Sequence, residues 1–360
     1  MKKFAPISYC IVNFNGEQFI EETLASVFRH KGISDEVLLI DNASNDGSLT
    51  KVQSLFPEVK IIKMGFNRGP GAARNAGFRQ AAHNWICFMD NDVSLTANCV
   101  ADLAAAMMDR PHALAAMPRV LFAADPLRIQ YDGADAHYLG TMIIHNQGMP
   151  LEGAPTMIKR LGSIITACFL VDRARWHLGD PFDENLFIYF DDHDFALQIN
   201  LSGFEVLGVP TAQVLHREGT AGLSLRRIGR YTGLRLYNKI CNRWQIIWKY
   251  YALQTLLLFL PVLLIYEGFL LAAAIKKRWL KEWLRAVRWM LCNWQSICHK
   301  RAELQNRRNV SDRCLFQDGP LPFSDYLAQG RTEKRSIALL NKIITGYWRF
   351  MAHRRYPPAS

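Results

Sequence analysis

Carboxylates dominate the chemistry this sequence can offer. Asp90-Asn91-Asp92 closes the apolar run Trp85 to Met89, and strand pleating would turn Asp90 and Asp92 toward one ligand. Two carboxylates so placed repel each other unless a cation lies between them. Mg2+ or Mn2+ suits oxygen ligands and bridges one or two carboxylates to substrate phosphates, so a diphosphate substrate would meet that demand. The same triplet also reads as an Asx turn or helix cap before Asn98. A second acidic group, Asp191, Asp192 and Asp194, follows the aromatic-rich stretch Phe182 to Phe190. Partial burial and mutual repulsion would raise the proton affinity of at least one, as a general base acting on a hydroxyl requires; equally, the three acids suit the first turn of a helix.

These residues need a scaffold, and the sequence supplies one by alternation. Ile7 to Phe14 reads as a strand, Phe19 to Arg29 as an amphipathic helix, and Val37 to Ile40 as a buried strand. Ser48 to Phe56 and Ala72 to Ala82 read as helices on either side of a strand from Val59 to Met64, and Trp85 to Met89 is a fourth strand. Strands alternating with helices at this spacing predict a doubly wound, mostly parallel α/β sheet, whose ligands bind beyond the carboxyl ends of the strands. The loops at those ends are polar: Asn15-Gly16, Asp41 to Gly47, Asn67 to Gly71 and Asp90 to Asp92.

Taken in order, these segments resemble glycosyltransferase family 2, with its Rossmann-like GT-A fold, over roughly residues 6 to 220. The matching segments are Ile11-Val12-Asn13-Phe14-Asn15, Asp41-Asn42-Ala43-Ser44, Asn67-Arg68-Gly69 through Arg74-Asn75-Ala76-Gly77, Asp90-Asn91-Asp92, and the acidic cluster ending in Asp192. The resemblance implies that Val12, Asn13 and Asn42 line a nucleobase pocket supported by Asp41, with Asn67 also on the nucleotide-sugar side. It implies Asp90 near the donor ribose or sugar, Asp92 and His216 on Mg2+ or Mn2+, and Asp192 as catalytic base with Asp191 beside it. Without that motif order, His216 reads as a structural histidine after the run Val206 to Leu215. Asn42 stands where relatives commonly carry an acid, which leaves the base open. The Asp-Asn-Ala-Ser loop is similar to that of rhamnosyltransferase-like enzymes, which points to a dTDP-sugar donor and an inverting transfer to a glycan or lipid-linked saccharide. Ile240-Cys241-Asn242-Arg243-Trp244 lacks the Gln of the family's processive Gln-x-x-Arg-Trp signature, so addition of one or a few sugars is expected.

The 360 residues carry a formal charge of +11, but its distribution excludes a simple nucleic-acid reading. From Cys241 onward 20 Lys or Arg face 7 Asp or Glu, a balance of +13 that leaves residues 1–240 at −2. The excess accompanies the most hydrophobic stretch, Ala252 to Ile275, which Gln254, Pro261 and Glu267 interrupt. We therefore expect a catalytic domain over 1–240, a basic helical membrane-associating region over 241–320, and a tail over 321–360. Attachment would be peripheral or re-entrant, at the cytoplasmic face of the inner membrane. The buried helical hairpin with a solvated basic face is the competing reading. Eight cysteines without a CxxC pair are expected to be reduced, buried thiols, and no N-terminal apolar run suggests export. Arg226, Arg227 and Arg230 are candidates for holding phosphates, or else an exposed helix face. The competing function is a catalytically inactive GT-A membrane scaffold or sugar-binding subunit.

Overall fold

The structure is a computed structural model, described here for residues 5–217, 233–321 and 330–355, without the side chains of 352–355. The chain divides into two compact units. The first comprises Met1–Ala134, Ile144–Ile199 and Phe204–Ile228, and the second Asp135–Ile143, Asn200–Gly203 and Gly229–Ser360. Arg226, Arg227 and Arg230 lie outside the described residues.

The first unit begins with the expected alternation. It runs β1 (Ile7–Asn13), α1 (Ile20–His30), β2 (Glu36–Asp41), α2 (Ser48–Leu55), β3 (Lys60–Lys63), α3 (Pro70–Gln80) and β4 (Trp85–Asp90). These strands pair in parallel in the order β3, β2, β1, β4, so the chain reverses direction across the sheet between β1 and β4. Every residue of β1 is buried, as expected for a central strand covered on both faces. Register aligns Asn13 with Asp41 and Val12 with Asp90, which gathers three polar strand ends at that reversal.

Beyond β4 the sheet becomes mixed. β5 (Val93–Leu95) and α4 (Cys99–Met108) precede β6 (Ala113–Phe122), β7 (Asp125–Tyr131), β8 (Ala134–His137), β9 (Thr141–Ile144), β10 (Lys159–Leu161) and β11 (Cys168–Asp172). After a long loop come α5 (Asp191–Leu201) and β12 (Glu205–His216). β11 lies antiparallel between β4 and β6, whereas β12 runs parallel to β6. The parallel half thus ends at β4, and the later strands return through the sheet to bring distant segments beside it.

Helix α3 packs on β1 and β2 through small residues. A Cβ added at Gly77 would lie 3.1 Å from Ile40 Cδ1 and 3.3 Å from Cys10 Sγ, so any side chain there would push these neighbours back by a few tenths of an ångström. Five cysteines, Cys10, Cys87, Cys99, Cys168 and Cys241, are buried free thiols as expected. Cys292 and Cys314 are exposed and Cys298 is partly so, a departure that follows from their places on solvent-facing turns of helices.

The second unit takes in β8 and β9, which with the short strand β13 (Phe316–Gln317) form a separate three-stranded sheet, and is otherwise helical: α6 (Gly233–Tyr250), α7 (Leu253–Lys276), α8 (Leu280–Cys292), α9 (Trp294–Asn306), the single turn α10 (Asp312–Leu315) and α11 (Arg331–Arg355). Helix α6 runs through the expected boundary at 240, and residues 331–355 of the expected tail form one helix. Apolar residues at helical spacing on α11, such as Leu340 and Ile344, are buried, which gives that segment a packing face.

The close approach at Gly77 gives a stability test. Gly77→Val should overpack the contact between α3 and the sheet and destabilise the protein by about 1–3 kcal/mol, read from urea or thermal unfolding.

Candidate active site

The site is built at the carboxyl ends of β1 and β4, where the reversal of strand order leaves a crevice. Its first element is a polar knot around Asn13. The Asn13 Nδ2 group donates to Asp41 Oδ1 at 3.1 Å, Ser44 Oγ at 3.0 Å and Ser48 Oγ at 2.9 Å. Its Oδ1 accepts from Asn91 Nδ2 at 2.9 Å, and its carbonyl accepts from the Asn42 amide. Both amide protons of Asn13 are therefore engaged, and this side chain ties the loops after β1, β2 and β4 together. Asn42 is likewise anchored: Nδ2 donates to Asn67 Oδ1 at 3.0 Å, while Oδ1 accepts from the Arg68 amide at 3.0 Å. Val12, Asn13, Asp41 and Asn42 are all buried, and Asn67 bonds to Asn42, so the residues expected at the nucleobase lie together.

The second element is a buried cation that the sequence did not assign. Arg74 on α3, 2 % exposed, donates from Nη2 to Asp90 Oδ1 at 2.6 Å and from Nη1 to Asp191 Oδ2 at 2.9 Å. It thus joins the DxD turn to the distant acidic cluster. Its neighbour Asn75 binds the loop before that cluster, donating to the Phe182 carbonyl and accepting from the Phe182 amide. Arg68 pairs with Glu184, and Gly69, at φ +86°, abuts the Phe187 carbonyl so closely that a Cβ would stand 1.8 Å from that oxygen. Just before Asp191 the backbone is left-handed at both Tyr189 and Phe190, a strained path that packing must hold.

Asp191 and Asp192 occupy the first turn of α5, as the helix-start reading expects. Their environments differ. Asp191 is committed to Arg74, whereas Asp192 accepts backbone N–H bonds from Thr166 at 3.0 Å and His193 at 2.8 Å. Burial raises the proton affinity of both. For Asp191 the neighbouring Asp192 charge adds to this and Arg74 opposes it; for Asp192 the two backbone N–H groups and Arg74 oppose it. Asp90 is also raised by burial, against the pull of Arg74.

Asp92 faces a different partner. It lies in the turn after β4, where pleating no longer operates, so Asp90 is directed to Arg74 while Asp92 Oδ2 is 3.2 Å from His216 Nε2. Strand β5 pairs with the end of β12 and aligns Val93 with His216, and the Arg217 amide donates to the Asp92 carbonyl. The other ring nitrogen, Nδ1, is 2.7 Å from Gln130 Oε1. Gln130 is the extra residue at a bulge in β7, between Tyr131 opposite Val120 and Ile129 opposite Leu121. Nothing in the sequence marks that bulge, and Gln130 was not legible as a site residue.

Among the described residues no cluster of three or more His, Cys, Asp or Glu side chains could hold a metal. The donor set present is one carboxylate and one imidazole. That set fits a divalent ion which takes its remaining ligands from water and phosphate oxygens. The Gln130 contact favours Nδ1 protonation, the tautomer in which Nε2 carries the lone pair that faces Asp92.

Known proteins share this framework. Residues 8–158 match the model for Glycosyl transferase family 2. The succinoglycan biosynthesis protein ExoO of Rhizobium meliloti is 32% identical over 91 residues, 25% of this chain and 26% of that protein. The N-acetylglucosaminyl-diphospho-decaprenol L-rhamnosyltransferase of Mycobacterium tuberculosis is 25% identical over 228 residues, covering 58% of this chain and 74% of the relative. The chain spans 26% and 36% of the length of the first two curated relatives. Among solved structures, GalNAc-T7 with UDP, GalNAc and Mn2+ is similar in fold, with a TM-score of 0.53 at 20% identity over 67% of this chain and 48% of that one. Residues 8–158 are thus similar to Glycosyl transferase family 2, on a GT-A fold shared with that solved glycosyltransferase.

Proposed function

We propose that this protein transfers a sugar from a nucleotide-diphosphate donor to a hydroxyl of a glycan or lipid-linked saccharide, in a single inverting displacement, during surface polysaccharide synthesis. The observation that carries the reading is the contrast within the acidic pair: Arg74 occupies Asp191, while Asp192 is positioned by two backbone N–H bonds and, among the described residues, has no cation hydrogen-bonded to it. A carboxylate fixed in orientation, with raised proton affinity, is suited to accept a hydroxyl proton.

In this mechanism Asp192 takes the acceptor proton as the acceptor oxygen attacks the anomeric carbon. The bond from that carbon to the diphosphate breaks in the same displacement, so no sugar–enzyme bond forms. Asp191 and Arg74 hold α5 and the DxD turn in register. Val12, Asn42, Asp41 and Asn67 shape the nucleotide side, with Asn13 keeping those loops together, and Asp90 lies toward the donor sugar. Asp92 and His216 would hold Mg2+ or Mn2+, which when bound would offset the charge growing on the departing diphosphate. The rhamnosyltransferase relative supports L-rhamnose as the transferred sugar and a lipid-diphosphate saccharide as acceptor, and the Asp41-Asn42-Ala43-Ser44 loop supports a dTDP-linked donor. The absence of Gln from the Arg243-Trp244 segment supports non-processive addition.

The defining experiment screens nucleotide sugars with the purified chain, with Mn2+ or EDTA, for hydrolysis and transfer. Asp192→Asn should lower turnover by about 10²–10⁴-fold while nucleotide binding persists. Binding of donors without turnover by the unaltered chain would overturn the reading in favour of a sugar-binding scaffold.

His216→Ala should abolish Mn2+-dependent tightening of nucleotide binding, measured by calorimetry. Gln130→Ala should weaken it by about 10–100-fold, as loss of a contact that orients a ligand histidine does.

Because the base must be ionised, the rate should fall on acidification. Burial raises the Asp192 affinity for its proton, so this acid limb should lie above the ordinary carboxylate value of about 4. Arg74→Gln removes a cation that favours the ionised form and should move the limb to higher pH. It should also destabilise the fold by about 3–5 kcal/mol, since it leaves partnered carboxylates buried without their counter-ion.

A further inference from the structure

Helix α7 in the second unit is sorted into two faces by a pattern that its uniformly apolar sequence hides. Its buried side carries Thr255, Phe259, Val262, Leu263, Tyr266 and Ala274. Its exposed side carries Leu253, Leu257, Leu260 and Leu264 at the three- and four-residue steps of one helical face, with Ile265 flanking it and Ile275 returning to it at the far end. Along this face the only exposed polar residues are Gln254 and Lys276, one at each end. A rise of about 1.5 Å per residue makes the stripe roughly 33 Å long.

The one charge within α7 is turned inward. Glu267 is bonded by the Arg243 guanidinium and, at 2.7 Å, by the Trp244 indole N–H, both on α6. The interruption expected at Glu267 therefore leaves the outer face intact. Pro261 lies on that face without ending the helix.

The chain leaves the stripe through Lys276, Lys277 and Arg278 and enters α8. The exposed residues of α8 are Leu280, Leu284 and Leu291 interleaved with Lys281, Arg285 and Arg288. Apolar side chains mixed with cations at the end of a long apolar stripe match the chemistry of an anionic bilayer surface, with acyl chains beneath and phosphate headgroups at the rim. A second copy of the chain would set like charges against each other at this rim.

We propose that the exposed face of α7, with the basic face of α8, lies in the plane of an anionic lipid surface. Spanning is disfavoured by the packing of α7: crossing the bilayer would carry the Arg243–Glu267 pair, and with it the polar helix α6, into hydrocarbon. The inference is independent of the transfer reaction, because its test uses vesicles without donor or acceptor.

The test is flotation of the full-length protein with vesicles of phosphatidylcholine alone or mixed with phosphatidylglycerol. Binding should require the anionic lipid and weaken in high salt. Lys281→Gln with Arg288→Gln should weaken binding by about fivefold per cation removed. Leu257→Asn with Leu264→Asn, both on solvent-facing positions, should abolish it while the unfolding transition is retained. Failure to float would overturn the proposal, as would a stable dimer that Leu257→Asn dissociates. Resistance of bound protein to alkaline extraction would overturn the in-plane placement.

Discussion

The candidate site depends on one buried guanidinium. Arg74 is almost wholly withdrawn from water, and a charge in that position is tolerable only because Asp90 and Asp191 accept its hydrogen bonds. The dependence is mutual, since both carboxylates are themselves buried enough for their proton affinity to rise. Three segments, α3, the end of β4 and the start of α5, are thereby fixed to one another within hydrogen-bond tolerance. The guanidinium Nε has no partner among the described residues, so the arginine is held by its two outer nitrogens and by the face of Phe182, 5.5 Å away.

Around that cation the loops are held by amides. Asn13, Asn42, Asn67 and Asn75 each bond to a loop other than their own, and asparagine suits this work because it both donates and accepts while adding no charge. A set of charged residues in these places would have to be neutralised again by further counter-ions. The result separates two functions within one site: neutral groups set the loops, and the four carboxylates Asp90, Asp92, Asp191 and Asp192 divide among three kinds of partner. Asp92 meets His216, Asp90 and Asp191 share Arg74, and Asp192 has backbone N–H groups.

The parallel half of the sheet was legible because its strands are continuous apolar runs ended by polar loops, and each run became a strand within a residue or two. The same rule found Asp90, Asp92, Asp191 and Asp192, since acids bunched beside apolar residues stand out. Pleating misled at Asp90 and Asp92, because β4 ends at Asp90 and a turn, with no side-to-side alternation, decides where Asp92 points. Arg74 lay inside a noticed segment, yet an arginine on a helix has no local mark that distinguishes burial from exposure. Gln130 was out of reach for a stronger reason: its position follows from a one-residue mismatch between two antiparallel strands, a property of their pairing and of neither strand alone.

The same limit governs the second unit, in the opposite sense. Read as a string, Ala252 to Ile275 has interruptions at Gln254, Pro261 and Glu267 that weaken it as an apolar element. Folded, it presents an outer face without a charge between its ends, because Glu267 is directed to α6 and Gln254 stands in the first turn. Average hydrophobicity cannot distinguish these cases, since it counts residues and ignores the face each occupies. What matters for an apolar surface is where its few polar residues point. Here that was decided by Arg243 and Trp244, roughly six helical turns earlier in the chain, which supply the charge and the indole N–H that let a carboxylate stand in the middle of α7.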